Sequence, residues 1–255
     1  MGIVETHAHI YAKEFDEDRK EALERAQVSG VEKVLMPNIN SNSIDFMLET
    51  EHQFPDYCVP MMGLHPCYVK KDFEKELYVV EDWLSKRDFC AIGEIGMDLH
   101  WDLEHVEEQK EAFKIQVEWA KKYQLPIAIH ARKSNQELLE ILEQVGTEGL
   151  SGVFHCFSGT VEEGERVKDL GFYLGIGGVI TFKNAGMDKV IHELGFEKMV
   201  LETDCPYLAP VPYRGKRNEV AYITQVSGKL ADIFEVSENE IISSTTANAN
   251  KLFGL

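Results

Sequence analysis

The stretch GIVETHAHI, residues 2–10, decides how the rest of the chain is read. Ile3 and Val4 open an apolar, β-branched run that reads as a buried strand. It leads straight into two histidines one residue apart, His7 and His9. Residues i and i+2 of a strand project to one side, so both imidazoles can meet one cation. Seven further apolar runs follow IVETH (3–7): VEKVLMP (31–37), YCVPMMGL (57–64), FCAIGEIG (89–96), PIAIH (126–130), GVFHC (152–156), FYLGIGG (172–178) and KMVLETD (198–204). Charged amphipathic segments separate them. The clearest spans about Leu103 to Tyr123, with Val106, Phe113, Val117 and Ala120 at helical spacing. Thr160 with Glu163 and Ser237 with Glu240 have the spacing of capping boxes, and FDEDRKEALER (15–25) reads as a solvated outer helix face. Eight strands alternating with helices predict an α/β fold with a parallel sheet, and eight closes a (β/α)8 barrel. A doubly wound open sheet fits the same alternation. No linker or low-complexity tract interrupts residues 1–255, so one domain is expected.

Composition narrows the function classes. No run of eighteen apolar residues is present, and the start lacks a basic region followed by an apolar core, so neither a membrane span nor export is expected. Five cysteines without a CxxC pair argue against a disulfide framework and for a reducing cytoplasm. With 44 acidic against 26 basic residues the formal net charge is −18, which argues against tracking along duplex DNA, where basic surfaces displace counterions.

The residues able to ligate a metal gather at the ends of the predicted strands. His7 and His9 end the first, Glu94 the fourth, His130 the fifth, His155 the sixth and Asp204 the eighth. In a barrel the strand C-termini open onto one face, where barrel enzymes keep their chemistry. One such histidine alone is more often a capping or core residue than a ligand, and an HxH alone is a weak signal. Four imidazoles and two carboxylates at one rim form a stronger pattern. They exceed a single tetrahedral site and suit two divalent ions, zinc, manganese or magnesium, sharing a carboxylate. The expected division places His7, His9 and Asp204 on one ion and His130 and His155 on the other, bridged by Glu94. Asp204 also has the chemistry to take a proton from an attacking, metal-bound water.

THAH (6–9), GLHP (63–66), GEIGMD (93–98), HAR (130–132), HCFSG (155–159), ETDCPYL (202–208) and RGKRNE (214–219) together make the chain resemble the TatD-like metal-dependent deoxyribonucleases, nearly end to end. The resemblance implies a TIM-type (β/α)8 barrel, a divalent-metal site built from the six residues above, and hydrolysis of DNA phosphodiesters on single strands or strand ends. It also brings a rival activity, D-aminoacyl-tRNA deacylation or another ester hydrolysis at the same site. Three positions depart from the family pattern. Glu5 stands where Asp is usual, Cys67 where a second His often follows GLHP, and Leu99 where an aromatic is common. The longer Glu5 is expected to alter how the first imidazoles are oriented. A lactonase of the phosphotriesterase type would place a modified lysine where Glu94 stands.

Four more residues carry expected substrate roles. His65 fits either a donor to a substrate phosphate or a turn stabiliser before Pro66. Arg132 fits a forked phosphate contact or an internal ion pair. Arg214 and Arg217, in the most concentrated positive charge of the sequence, fit phosphate contacts or brackets for the mouth loop. Asp98 and Glu202 are expected to support neighbouring groups, and Cys156 and Cys205 to point away from the metals. The expected partner is thus DNA, with no membrane and no obligate protein partner.

Overall fold

Eight strands and nine helices alternate through residues 2–255, the residues described in a computed structural model. The strands are β1 (Ile3–Glu5), β2 (Val31–Pro37), β3 (Cys58–Met61), β4 (Ile92–Asp98), β5 (Ile127–Arg132), β6 (Gly152–Phe154), β7 (Tyr173–Ile176) and β8 (Met199–Leu201). The helices are α1 (Arg19–Val28), α2 (Ile44–Gln53), α3 (Phe73–Lys86), α4 (Val106–Tyr123), α5 (Asn135–Val145), α6 (Val161–Asp169), α7 (Met187–Leu194), α8 (Ile223–Phe234) and α9 (Glu238–Phe253). Every strand pair is parallel, in the orders β1-β2-β3 and β4-β5-β6-β7-β8. A bridge between Met62 and Ile92 joins the two sets. The Thr6 amide donates to the Leu201 carbonyl at 3.0 Å across the remaining seam, so the eight strands close into a barrel rather than an open sheet. No helix among the described residues is long and apolar enough to cross a membrane.

One side chain from each strand, or from the residue just before it, fills the lumen: Val4, Leu35, Met61, Ala91, Ala128, Val153, Tyr173 and Val200. Ala249, Leu252 and Phe253 of α9 pack on this layer and stopper that end. The opposite end stays open as a cavity of about 870 Å³. Along α4, Phe113, Val117 and Ala120 face the sheet, as their spacing predicts, and Val106 packs partly buried at its start. Both capping-box hydrogen bonds form at Thr160. At Ser237 only the bond from the Glu240 amide is made.

The two-residue alternation of a strand carries Ala128 on to His130, and Val153 on to His155, on the lumen side. Strand β4 breaks that rule. Ala91 and Glu94 are three residues apart, a step that would turn Glu94 outward in a regular strand. The pairing of β4 with β5 shifts register between Ile92 and Ile95. An irregularity of this kind re-aims the side chain beside it. Two residues later Gly96, at φ +137°, pairs with His130 so closely that a Cβ there would lie 2.1 Å from the His130 carbonyl oxygen. Only glycine permits this approach.

Candidate metal centre

His7 and His9 lie just beyond β1, His130 within β5, His155 directly after β6 and Asp204 in the loop after β8. Glu94, expected at a strand end, instead sits in the body of β4, deeper in the barrel. Asp204 adopts a left-handed backbone, φ +56°, a conformation a non-glycine residue holds only where its surroundings demand it.

The six side chains converge at the floor of the cavity, and their donor atoms fall into two groups. His7 Nε2 and His9 Nε2 lie 3.2 and 3.5 Å from Glu94 Oε2, and 4.0 and 3.5 Å from Asp204 Oδ1. On the other side of the same carboxylate, Glu94 Oε1 lies 2.8 Å from His130 Nδ1 and 2.9 Å from His155 Nε2, which are themselves 3.3 Å apart. Donors placed tetrahedrally about 2.1 Å from one cation are roughly 3.4 Å apart, so the spacings fit metal ligation. Glu94 Oε2 and His7 Nε2 face each other fully buried, and neither has a hydrogen-bond partner. Buried polar atoms are seldom left so, and a divalent cation between them accounts for both.

Hydrogen bonds on the far side of the His9 and His130 rings fix which nitrogen is bare. Tyr11 donates its hydroxyl proton to the Pro37 carbonyl at 2.6 Å, so at 3.0 Å it must accept from His9 Nδ1, leaving His9 Nε2 for a metal. Asp98 Oδ2 accepts from His130 Nε2 at 2.9 Å, leaving Nδ1 toward Glu94. Glu202 Oε1 lies 3.5 Å from His155 Nδ1, on the side away from Glu94, without a hydrogen bond between them. Hydrogen-bonded partners orient imidazoles and raise their basicity as ligands.

His65 is the exception. Its Nε2 lies 3.4 Å from Glu94 Oε1, near enough to be grouped with Glu94 and His130 as a possible ligand set. Its Nδ1, however, accepts from the Cys67 amide at 3.0 Å. A ring nitrogen that accepts is unprotonated, so the proton of the neutral ring is on Nε2, and burial, which pulls the His65 pKa down, favours that neutral form. A protonated nitrogen has no lone pair for a cation, so His65 presents an N–H donor to the centre.

The electrostatics follow from this packing. Burial alone would raise Glu94, yet the imidazoles facing it hold the carboxyl well below its usual range. Asp204 is likewise lowered against its burial, by His9, His155 and His7. Asp98 is held low against burial by His130 and by the amides of Trp101 and His100. Glu5 stands apart, with burial raising it strongly. It touches no imidazole. Its Oε1 accepts the His7 and Thr203 amides, each at 3.0 Å, so the departure at Glu5 acts on the backbone of the β1–β8 seam rather than on ring orientation.

Arg132 lines the cavity, with its guanidinium over the Trp101 ring at 5.4 Å. Arg214 and Arg217 do not line it. Arg214 donates to the Ala209 carbonyl and lies 3.8 Å over Phe182, while Arg217 donates to both Asp18 oxygens and to Glu219, over the Phe15 ring. Of the two expected roles, the contacts of both match brackets for the mouth loop. Neighbouring carboxylates and carbonyls satisfy them first, and they bracket the loop after β8. The Cys67 thiol, 3.6 Å from Asp98 Oδ2, is pushed up to about 12 by burial and is a poor nucleophile. Cys205 is buried.

Several supporting residues escaped the sequence reading. Tyr11 gave no signal, since its role depends on Pro37. Gln109 and Gln116 did give one, as polar residues seven apart on the apolar face of α4. Gln109 accepts the Asp98 amide at 2.8 Å, and Gln116 accepts the Leu64 amide at 2.7 Å, so one helix fixes the segments bearing Asp98 and His65.

A family match and three likenesses to known proteins bear on this geometry. The family model described as TatD related DNase matches residues 4–254. The uncharacterized metal-dependent hydrolase YabD of Bacillus subtilis is 37% identical over 252 residues, 98% of each chain. The 3'-5' ssDNA/RNA exonuclease TatD of Erwinia tasmaniensis is 27% identical over 253 residues, 97% of this chain and 98% of that one. Among solved structures, the TatD homologue YjjV of Escherichia coli K12 superposes with a TM-score of 0.93 at 28% identity, covering 99% and 98% of the two chains.

Proposed function

The chain belongs to the TatD-related DNase family of metal-dependent hydrolases, and from that premise we propose that it hydrolyses phosphodiester bonds of DNA, on single strands or strand ends, with two divalent ions, zinc, manganese or magnesium. The observation that carries the proposal is the division of donor atoms on either side of Glu94, each of whose oxygens faces a separate pair of histidines. His7, His9 and Asp204 would hold one ion and His130 and His155 the other, with Glu94 between. When bound, such a pair activates water and neutralises charge developing on the phosphoryl oxygens of an in-line displacement.

The remaining work falls to the chain's own groups. Asp204 directs Oδ1 at the histidines, and its second oxygen is the acceptor for the proton released by the attacking water. His65 donates a hydrogen bond from Nε2 to a non-bridging phosphate oxygen, a preorganised donor on the cavity wall. Arg132, on the cavity wall, supplies a cation to an adjacent phosphate. The net charge of −18 leaves the metal centre and Arg132 as local attractors on an acidic molecule, which favours short or single-stranded substrates over long duplex. A reducing cytoplasm suits the five free cysteines.

The test is metal analysis together with cleavage of 3'- and 5'-labelled single-stranded DNA. Glu94→Ala is expected to lose bound metal and at least about 100-fold in turnover. Full metal content and activity in that variant would remove Glu94 from the centre. D-aminoacyl-tRNA deacylation at the same site is the competing activity; release of an amino acid from charged tRNA, with DNA left intact, would favour it.

A further inference from the structure

Four large aromatic side chains are left exposed around a single opening. Trp101 is 69% exposed, Phe46 58%, Tyr207 52% and Tyr68 44%, and all four line the cavity above the metal centre. The other large aromatic left this exposed, Tyr78, lies away from it on α3. Keeping so much aromatic surface in water forgoes hydrophobic stabilisation, so its concentration at one mouth asks for a ligand.

Three of the four are tied to the centre itself. The Tyr207 ring stands edge-on to His9 with centroids 6.0 Å apart, and Tyr68 stands likewise to His65 at 6.1 Å. The Trp101 amide donates at 2.8 Å to Asp98 Oδ1, while Asp98 Oδ2 holds His130. These rings therefore stand on different sides of the floor, over β8, β3 and β4. Arg132 lies against one side of Trp101, which leaves much of that ring open.

We infer that this rim is a stacking platform for the unpaired bases flanking the scissile phosphate. The inference rests on the phosphodiesterase reading above and adds the group that recognises the substrate. Cations beside aromatic faces are the sequence-tolerant way to hold a single strand, because every base has a π-face. Bases inside a duplex have their faces covered and cannot reach the rings, so a blunt end must fray before it enters. The acidic molecular surface makes stacking more necessary, since long-range attraction to phosphates is weak.

The experiment compares fluorescein-labelled octamers with phosphorothioate linkages, which resist cleavage: octathymidylate, octauridylate, and an octamer of abasic residues with the same charge. The wild-type protein is expected to bind both base-bearing octamers at least about 10-fold more tightly than the abasic one. Trp101→Ala and Tyr207→Ala should each weaken binding of the base-bearing octamers by about 5- to 100-fold and shrink the preference for bases. Trp101→Phe should retain most of the preference, and Tyr78→Ala all of it. Equal wild-type affinity for base-bearing and abasic octamers, or a preference that survives both alanine variants, overturns the inference. Hydrolysis of methyl 4-nitrophenyl phosphate by the wild type separates the two readings. Base-dependent binding without that hydrolysis ends the phosphodiesterase reading and keeps the platform, whereas hydrolysis without base dependence ends the platform alone.

Discussion

Five histidines crowd this centre, and the proton on each ring decides what it does. His9 and His130 each spend one nitrogen on a protein acceptor and turn the bare one inward. His65 does the reverse, because the Cys67 amide occupies the lone pair on Nδ1. Distance alone would group His65 with Glu94 and His130 around a cation; only the hydrogen-bond direction sets it apart as a donor. His65→Ala is therefore expected to lower kcat on single-stranded DNA by about 10- to 100-fold with bound metal unchanged. Loss of metal in that variant, read by elemental analysis, would make His65 a ligand. Cys67, where a histidine is common in the family, makes this contact through its backbone amide, so the contact does not depend on which side chain stands there.

Among the elements, β4 bears the most constraint. Its register shift against β5 aims Glu94 into the lumen, and Gly96 lets the strand lie against His130. Any side chain at Gly96 would strike the His130 carbonyl and require a backbone foreign to L-residues. Gly96→Ala should destabilise the fold by about 2–4 kcal/mol in urea unfolding. Gly228 in α8 offers the contrast, since an added Cβ there meets nothing within 4 Å. Gly228→Ala should stabilise by about 0.5–1 kcal/mol. Equal responses at the two positions would show that β4 tolerates the approach differently from its geometry. Helix α4 supports the same region from outside, with Gln109 and Gln116 fixing the segments on either side of β4.

Over the whole molecule, the first and last loops of the barrel are pinned together by charge. Asp18 receives Arg217 and Arg25, and Glu219 receives the same two arginines. The Arg217 guanidinium is the main reason that Asp18 is pulled down to about 2, with burial opposing it. A carboxylate held below its unfolded value stabilises the fold above that value, and the contribution is lost as pH falls through the folded one. Asp18 is partly exposed, so solvent screens the pair and the expected contribution is about 0.5–1 kcal/mol. Asp18→Asn should thus be less stable than wild type at pH 7, and the gap should close between about pH 4 and pH 2. Melting curves of the two proteins across that range give the answer, and a gap that persists below pH 2 would assign the cost to packing instead.

Strand and helix periodicity, the eight apolar runs and the positions of His7, His9, Glu94, His130, His155 and Asp204 were all legible in one dimension. Local patterning sets which residues face a core, and the rule that barrel strands end on one face supplied the rest. What Arg214 and Arg217 bind was not legible, because a guanidinium takes the nearest acceptor in space, and Asp18 lies some two hundred positions earlier in the chain. Nor was the aim of Glu94, which depends on a register shift between two strands, or the tautomers of His9, His130 and His65, which depend on a tyrosine, a carboxylate and an amide across the fold. Residue type and spacing determined which groups reach the mouth of the barrel. Only the folded chain decided which way each one points and which proton it carries, since direction and protonation are properties of neighbours in space.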